Sequence, residues 1–301
     1  MTKTIAAVGE CMVEMAPTQD NATFKMGFAG DTLNTAWYLR KIADPEWVVD
    51  YVTVVGTDAT SDKMVNFLGS AGLGTDRIWR DPHRTVGLYM IELTNGERSF
   101  SYWRGQSAAK TLAEDAPALS RALGSTDIIF FSGITVAILP EKGRRNLLSV
   151  LRTLREQGKT IVFDPNLRPK LWHSGDEMCA AIMDAAAVSD IALPSFEDEA
   201  DWFGDASPAD TAQRYQAAGC TTIVVKNGGG PMLTVDDTAT QEVSPHTVDR
   251  IVDTTAAGDS FNAGFLAAYL NGQSTAASAQ AGAALAAKVI QFRGALVQEA
   301  L

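Results

Sequence analysis

The sequence predicts an α/β fold of three layers: a mostly parallel central sheet, helices on both of its faces, and a small β-sheet lid. Three observations carry that expectation. Short apolar, β-rich runs alternate with helical stretches through the downstream two-thirds of the chain. The length of 301 residues suits one large α/β domain. One region, residues 86–104, breaks the alternation with a hairpin pattern. Near-continuous apolar strands with helices between them imply a parallel sheet covered on both sides. Ligands of such sheets bind beyond the carboxyl ends of the strands.

Residues 1–9 read as a first strand, being too short and poorly ordered for a signal peptide. Residues 86–93 and 98–104 flank Thr94-Asn95-Gly96-Glu97, where Asn95-Gly96 supplies a turn whose two central positions need positive φ. A lid made mainly of residues 86–104, with contributions from about 9–30, is expected on a single domain spanning 1–301. Ile128-Ile129-Phe130-Phe131-Ser132-Gly133 reads as a buried strand, and Pro140 opens a helix to about Gln157, with Gly158 as its stop. Strands follow at 160–165, 190–193 and 221–226. Helices are expected at about 177–188 and from Ser207-Pro208, an N-cap followed by proline at the first helical position, to Gly219.

Composition excludes several classes. A hydrophobic content of 46% and a charged content of 20% are ordinary for a soluble globular chain, and no apolar run approaches a membrane span. The net charge of −11 argues against a nucleic-acid surface, though a locally basic pocket can still take an anionic small molecule. Cys11, Cys179 and Cys220 lack paired spacing, so a disulfide framework and a thiolate metal site are both unsupported, and a reducing cytoplasm is the expected location. Three histidines, His83, His173 and His246, show no ligand spacing. There is no Gly-x-x-x-x-Gly-Lys-Ser/Thr loop, no protein-kinase His-Arg-Asp set, no Gly-x-Gly-x-x-Gly after the first strand and no Gly-x-Ser-x-Gly turn.

The most informative segment is Asp253-Thr254-Thr255-Ala256-Ala257-Gly258-Asp259-Ser260-Phe261-Asn262-Ala263-Gly264-Phe265. It joins an acid-led turn of small residues to an apolar helical run, 261–270. Small residues admit a polyanion close to the backbone, and the first amides of a helix are unpaired donors at its positive end. Asp259 there is either a helix-start charge or a general base beside a bound phosphate.

The same run resembles the C-terminal signature of the ribokinase-like (PfkB) carbohydrate kinases. Near the front, Gly9-Glu10-Cys11-Met12-Val13-Glu14 and Ala29-Gly30-Asp31-Thr32-Leu33-Asn34-Thr35-Ala36 resemble that family's sugar-binding portion, so the likeness spans almost the whole chain. Four segments look like the members that act on 2-keto-3-deoxygluconate: 30–34, 96–104, Phe163-Asp164-Pro165-Asn166-Leu167-Arg168-Pro169, and 289–295. The resemblance implies an ATP-dependent kinase that phosphorylates the terminal (C6) hydroxyl of that sugar acid. Asp259 would be the base, and Ala256, Ala257 and Gly258 would turn amides toward the developing charge. Many members have glycine at one of the two alanine positions.

Arginine matches a carboxylate with two parallel hydrogen bonds, which makes Arg104 and Arg168 the candidates for the acid end of the sugar. Tyr89 and Tyr102 would add hydroxyls and ring faces, and Gly30, Asp31 and Asn34 would read sugar hydroxyls. Plainer roles stand beside these: Arg168 as a loop brace, the tyrosines as lid packing, Asp31 as an N-cap. Ser195, Lys226, Gly228 and Gly230 would face the nucleotide. Ser195 stands where the family usually has Asn with Glu three residues on, so Glu197, Asp198 and Glu199 all remain candidates to order the water shell of Mg²⁺; alignment favours Asp198. Asp253 and Thr255 would suit a monovalent cation such as K⁺. The alternatives are another sugar or nucleoside kinase of the family and a non-catalytic sugar-acid sensor. Exposed lid edges suggest a homodimer through the lid.

Overall fold

The computed structural model describes residues 3–18, 20, 23–94 and 97–301, and every element below belongs to those residues. Strands β1 (Lys3–Val8), β2 (Met12–Pro17) and β3 (Phe24–Ala29) precede helix α1 (Asp31–Ile42). Then come β4 (Trp47–Gly56), α2 (Ala59–Ser70), β5 (Ile78–Asp81), β6 (Leu88–Thr94), β7 (Glu97–Trp103) and α3 (Ala116–Gly124). The middle of the chain runs β8 (Ile128–Ser132), α4 (Gly133–Ile138), α5 (Glu141–Glu156), β9 (Thr160–Asp164), α6 (Gly175–Ala186), β10 (Ile191–Ala192), α7 (Phe196–Phe203) and α8 (Pro208–Ala218). It closes with β11 (Thr222–Val225), β12 (Met232–Val235), β13 (Thr240–Val243), α9 (Ala257–Leu270) and α10 (Thr275–Val289).

The main sheet has the order β13-β12-β11-β10-β9-β8-β1-β4-β5. Neighbours from β5 to β11 pair in parallel, and only the β12 and β13 edge is antiparallel. Residues alternate between faces, as a strand period of two requires. Ile5, Ile128, Phe130 and Val162 join one core with α1, α9 and α10, whereas Ala6, Ile129, Phe131 and Phe163 join another with α3, α5 and α6. Three layers result. Strand order reverses about β1, which places a switch-point crevice at the carboxyl ends of β1 and its neighbours.

The second sheet has the order β3-β2-β6-β7. Its β6–β7 pair runs from Leu88↔Trp103 to Thr94↔Glu97, in the hairpin register expected; the Asn95-Gly96 turn itself lies outside the described residues. Strands β2 and β3 come from the 9–30 segment and complete this sheet.

Caps explain most boundaries. Ser207 accepts a hydrogen bond from the Asp210 amide at 3.3 Å, and α8 stops at Gly219 with φ 109°. Helix α6 starts at 175 rather than about 177, because Ser174 caps it by accepting from Glu177 N at 3.1 Å. Pro140 is the N-cap of α5, not its first helical residue. Strand β10 holds two residues instead of four. Helix α4 was not expected: Ser132 and Thr135 form a reciprocal capping box that turns the end of β8 into a helix at once.

Candidate active site

The two halves of the site meet where the N-termini of α1 and α9 face each other. Gly30 is the N-cap of α1. A Cβ built on it would stand 2.2 Å from the Glu10 carbonyl oxygen, so only glycine lets α1 begin this close to the β1–β2 connection. Asp31 therefore opens the helix and is not its cap. One turn on, Asn34 Nδ2 donates to Asp259 Oδ2 at 2.8 Å, and Thr35 Oγ1 donates to the Asp259 carbonyl at 3.2 Å. Asp259 lies in the first turn of α9, whose N-cap, Ala256, has φ 59° and ψ 18°. This left-handed conformation costs an alanine about 1 kcal/mol and a glycine far less. Of the two alanine positions, one of which the family resemblance expects to hold glycine in many members, 256 is the one with a conformational reason for it.

Near Asp259 lies a ring of charged and amide groups from the ends of β9 and β11 and from helices α1 and α9. Asp164, the last residue of β9, accepts from Lys226 Nζ at 3.2 Å and from Asn262 Nδ2 at 2.7 Å, and Lys226 also reaches Asn262 Oδ1 at 3.3 Å. Asn166 Nδ2 donates to Asp31 Oδ2 at 2.9 Å. Burial and the Asp31 charge push the Asp259 carboxyl up to about 8; Asp164 adds to the rise, while Asn34 and Lys226 oppose it. Burial also raises Asp31, with hydrogen bonds from Ser132 and Asn166 pulling the other way. A carboxyl that titrates near neutrality beside small-residue backbone suits proton abstraction.

A cleft of about 550 Å³ opens over this ring. Asp259, Ala256, Ala257 and Gly258 line it together with Arg168, Ser195, Asp198, Lys226 and Gly228. Its far wall is apolar, with Val248, Ile251, Ala283, Ala287 and Ile290. The Ala257 amide donates to the Thr254 carbonyl at 3.1 Å, so of the three expected amides this one is engaged within the turn. Lys226 Nζ stands 3.7 Å from where a Gly258 Cβ would lie, which puts a cation beside the turn. Gly230 does not line the cleft; its amide closes a turn on the Asn227 carbonyl at 2.7 Å. Among the three consecutive acids, only Asp198 faces the cleft. Glu197 is exposed and Glu199 is buried elsewhere. Burial raises the Asp198 carboxyl, with Arg168 opposing.

The two arginines part company. Arg168 lines the cleft and donates to the Leu167 carbonyl at 2.6 Å. Arg104 does not line it and is paired with Glu10, a carboxylate buried at the β1–β2 connection. In the second sheet the buried Tyr89 donates to Glu14, its ring centroid 5.9 Å from that of the half-exposed Tyr102. Asp253 Oδ1 accepts from the amide and hydroxyl of Thr255 at 3.1 and 2.7 Å, and Oδ2 from Gly294 N at 2.8 Å. With both oxygens so engaged, these two residues brace the turn before α9.

Asp164, Asn166, Asn262 and Glu10 carry much of this geometry without having been assigned roles from the sequence. Their signals were faint but present. Asp164-Pro165 ends a buried strand, and Asn262 lies three residues after Asp259, on the same helix face.

A parallel sheet with helices on both faces, a carboxylate at a helix N-terminus and a cleft floored by lysine and small residues define a phosphoryl-transfer α/β protein. The pattern of the pfkB family carbohydrate kinases matches residues 2–299, and the chain belongs to that family. It is 41% identical to the 2-dehydro-3-deoxygluconokinase of Dickeya dadantii, over 98% of this chain and 97% of that one. It is 39% identical to the enzyme of the same name from Escherichia coli K12, over 99% and 98%. The fold matches 2-dehydro-3-deoxygluconokinase from Thermotoga maritima with a TM-score of 0.84 at 20% identity, covering 99% of this chain and 95% of that one. A fructokinase from Xylella fastidiosa with bound ATP matches equally, with a TM-score of 0.84 at 23% identity over 98% and 94%. The fold is therefore ribokinase-like, and the chain is an ATP-dependent sugar kinase by family.

Proposed function

We propose that this kinase transfers the γ-phosphoryl group of ATP to the C6 hydroxyl of 2-keto-3-deoxy-D-gluconate, yielding ADP and the 6-phosphate. The observation that carries the chemistry is Asp259, set in the first turn of α9 and held by Asn34 at the cleft floor. The hydroxyl proton passes to Asp259 as the new O–P bond forms and the bond between the β,γ-bridging oxygen and the γ-phosphorus breaks. Lys226 and the backbone at Ala256 and Gly258 face the charge that develops on the transferred group. The sugar identity is supported by the names of the full-length relatives and by Arg168, a cation in the same cleft as Asp259.

Among the described residues no three acids, histidines or cysteines gather into a metal cage. Magnesium fits the donor set all the same, because it keeps most of its waters and binds chiefly through phosphates. Asp198, the one acid of its trio in the cleft, would order that water shell, and the ion would neutralise phosphate charge. Turnover compared in potassium and tetramethylammonium salts tests whether Asp253 and Thr255 also serve a monovalent cation.

The second sheet would close over the sugar and exclude water. Its exposed Met26, Phe100, Tyr102 and Trp103 support a homodimer through that sheet, which sedimentation tests. The decisive experiment for the whole reading is ADP release over a panel of keto-deoxy acids, hexoses, pentoses and nucleosides. Preference for 2-keto-3-deoxygluconate is expected; equal rates with a neutral hexose would overturn the substrate assignment.

A further inference from the structure

Helix α7 carries three consecutive acids and sends them in three directions. Glu197 meets solvent, Asp198 faces the cleft, and Glu199 is fully buried against α8. Both oxygens of Glu199 are satisfied: Oε1 accepts from Tyr215 Oη at 2.9 Å, and Oε2 from Arg214 Nη2 at 2.8 Å. Arg214 is itself fixed on every side. Its Nε reaches Asp205 Oδ1 at 3.2 Å, its guanidinium carbon lies 3.7 Å from the Phe203 ring centroid, and its Nη1 approaches Met183 Sδ at 3.1 Å. At the other end of the helix the Phe196 amide donates to the Lys226 carbonyl at 2.8 Å.

An eight-residue helix has little stability of its own, so tertiary anchors decide how it is rotated. Successive residues on a helix are turned by about 100°. Pinning Glu199 therefore dictates where Asp198 points. We infer that Glu199, Arg214 and Tyr215 form an anchor that sets the rotation of α7 and so aims Asp198 at the metal-bound phosphates of the nucleotide. These are positioning residues: none of the three lines the cleft. The anchor also explains why Glu199, though adjacent to Asp198, does not compete with it for a cation: it is turned out of the cleft and paired with Arg214, which Asp205 shares. This inference rests on the reading of Asp198 as the acid that orders the magnesium waters.

The test is calorimetric and needs no turnover. ADP affinity is measured with magnesium and with EDTA, and 2-keto-3-deoxygluconate affinity is measured without nucleotide. Glu199→Ala is expected to weaken magnesium-dependent ADP binding about tenfold while leaving the other two affinities within about twofold. Glu199→Gln retains an acceptor for Arg214 and a partner for Tyr215, and should recover to within about threefold of the parent. Tyr215→Phe removes one bond with little change in packing and should weaken only the magnesium-dependent affinity, by about threefold. It carries the test if Glu199→Ala does not fold. A parallel loss of all three affinities, or no change in the magnesium-dependent one, overturns the anchor. Asp198→Asn separates the two readings. If it leaves magnesium-dependent binding unchanged, the Asp198 assignment fails; if it weakens that binding and the anchor variants do not, the anchor alone fails.

Discussion

Arg168 and Arg104 were expected to share one task, yet they sit in opposite electrostatic settings. In the cleft with Arg168, Asp164, Asp198 and Asp259 crowd about Lys226, and Asp31 adds its charge to Asp259 from α1. At the second sheet two close pairs stand out among the described residues, Arg104 with Glu10 and the Tyr89 hydroxyl with Glu14. Crowded like charges lie high in free energy and favour proton movement, which is what a reacting centre needs. Paired groups are quiet until a ligand shares or displaces their partner. On the proposed reading, the crowded carboxylates of the main body would serve the reaction and the paired groups of the second sheet would serve recognition.

The sharpest way to break this comparison is Asp259→Asn. Turnover is expected to fall about a thousandfold, with 2-keto-3-deoxygluconate affinity within about threefold by calorimetry. Turnover near that of the parent would remove the base assignment. The same substitution should also stabilise the fold. Ionised Asp259 is disfavoured by burial and by Asp31, so its carboxyl rises from 3.8 to about 8 on folding. Stability is fullest below pH 4, falls as pH climbs through that window, and stays low above it. Denaturation at pH 5 and pH 9 should show the variant's advantage growing by on the order of 4 kcal/mol. A constant difference would mean the charges are not crowded.

The arginines come next. Arg168→Ala is expected to raise KM for the sugar acid about fiftyfold, and Arg104→Ala only about fivefold, because Glu10 already neutralises Arg104. A neutral sugar should respond weakly to both. Equal responses of acid and neutral sugar would void the carboxylate role, and a reversed ranking would show that Glu10 yields its partner to the ligand. The smallest effect belongs to Ala256→Gly. Relief of the left-handed alanine, about 1 kcal/mol, is largely offset by the freer unfolded chain, so Tm should move by about 1 °C and turnover by less than about twofold.

The sequence disclosed the layered sheet because its strands are apolar on both faces and its helices carry strong local start and stop signals, such as Ser207-Pro208 and Gly219. Helix α4 escaped notice because a two-sided capping box at Ser132 and Thr135 overrides an apolar run that reads as strand. In the site, the small-residue setting of Asp259 left two readings open, helix-start charge or base, and it was the likeness of the whole run to the family that pointed to the base. Its partners were not legible, since Asn34 lies 225 positions away, and Asp164 lies 98 from Asn262. The fates of Glu197, Asp198 and Glu199 could not be told apart until α8 showed which face of α7 it covers. Arg104 looked free because nothing local reveals its pairing with Glu10, 94 positions upstream.

The long span between Asn34 and Asp259 also bears on how the protein is made. Strand β1 lies inside the sheet between β4 and β8, and it must wait for the much later β8 before its second edge is paired. Helix α9, which carries Asp259, follows every described strand of both sheets. A nascent or truncated chain can thus assemble much of the sheet while lacking the aspartate and the cleft wall. A chain that stops before α9 lacks Asp259, and on the proposed reading it would have no base with which to spend ATP.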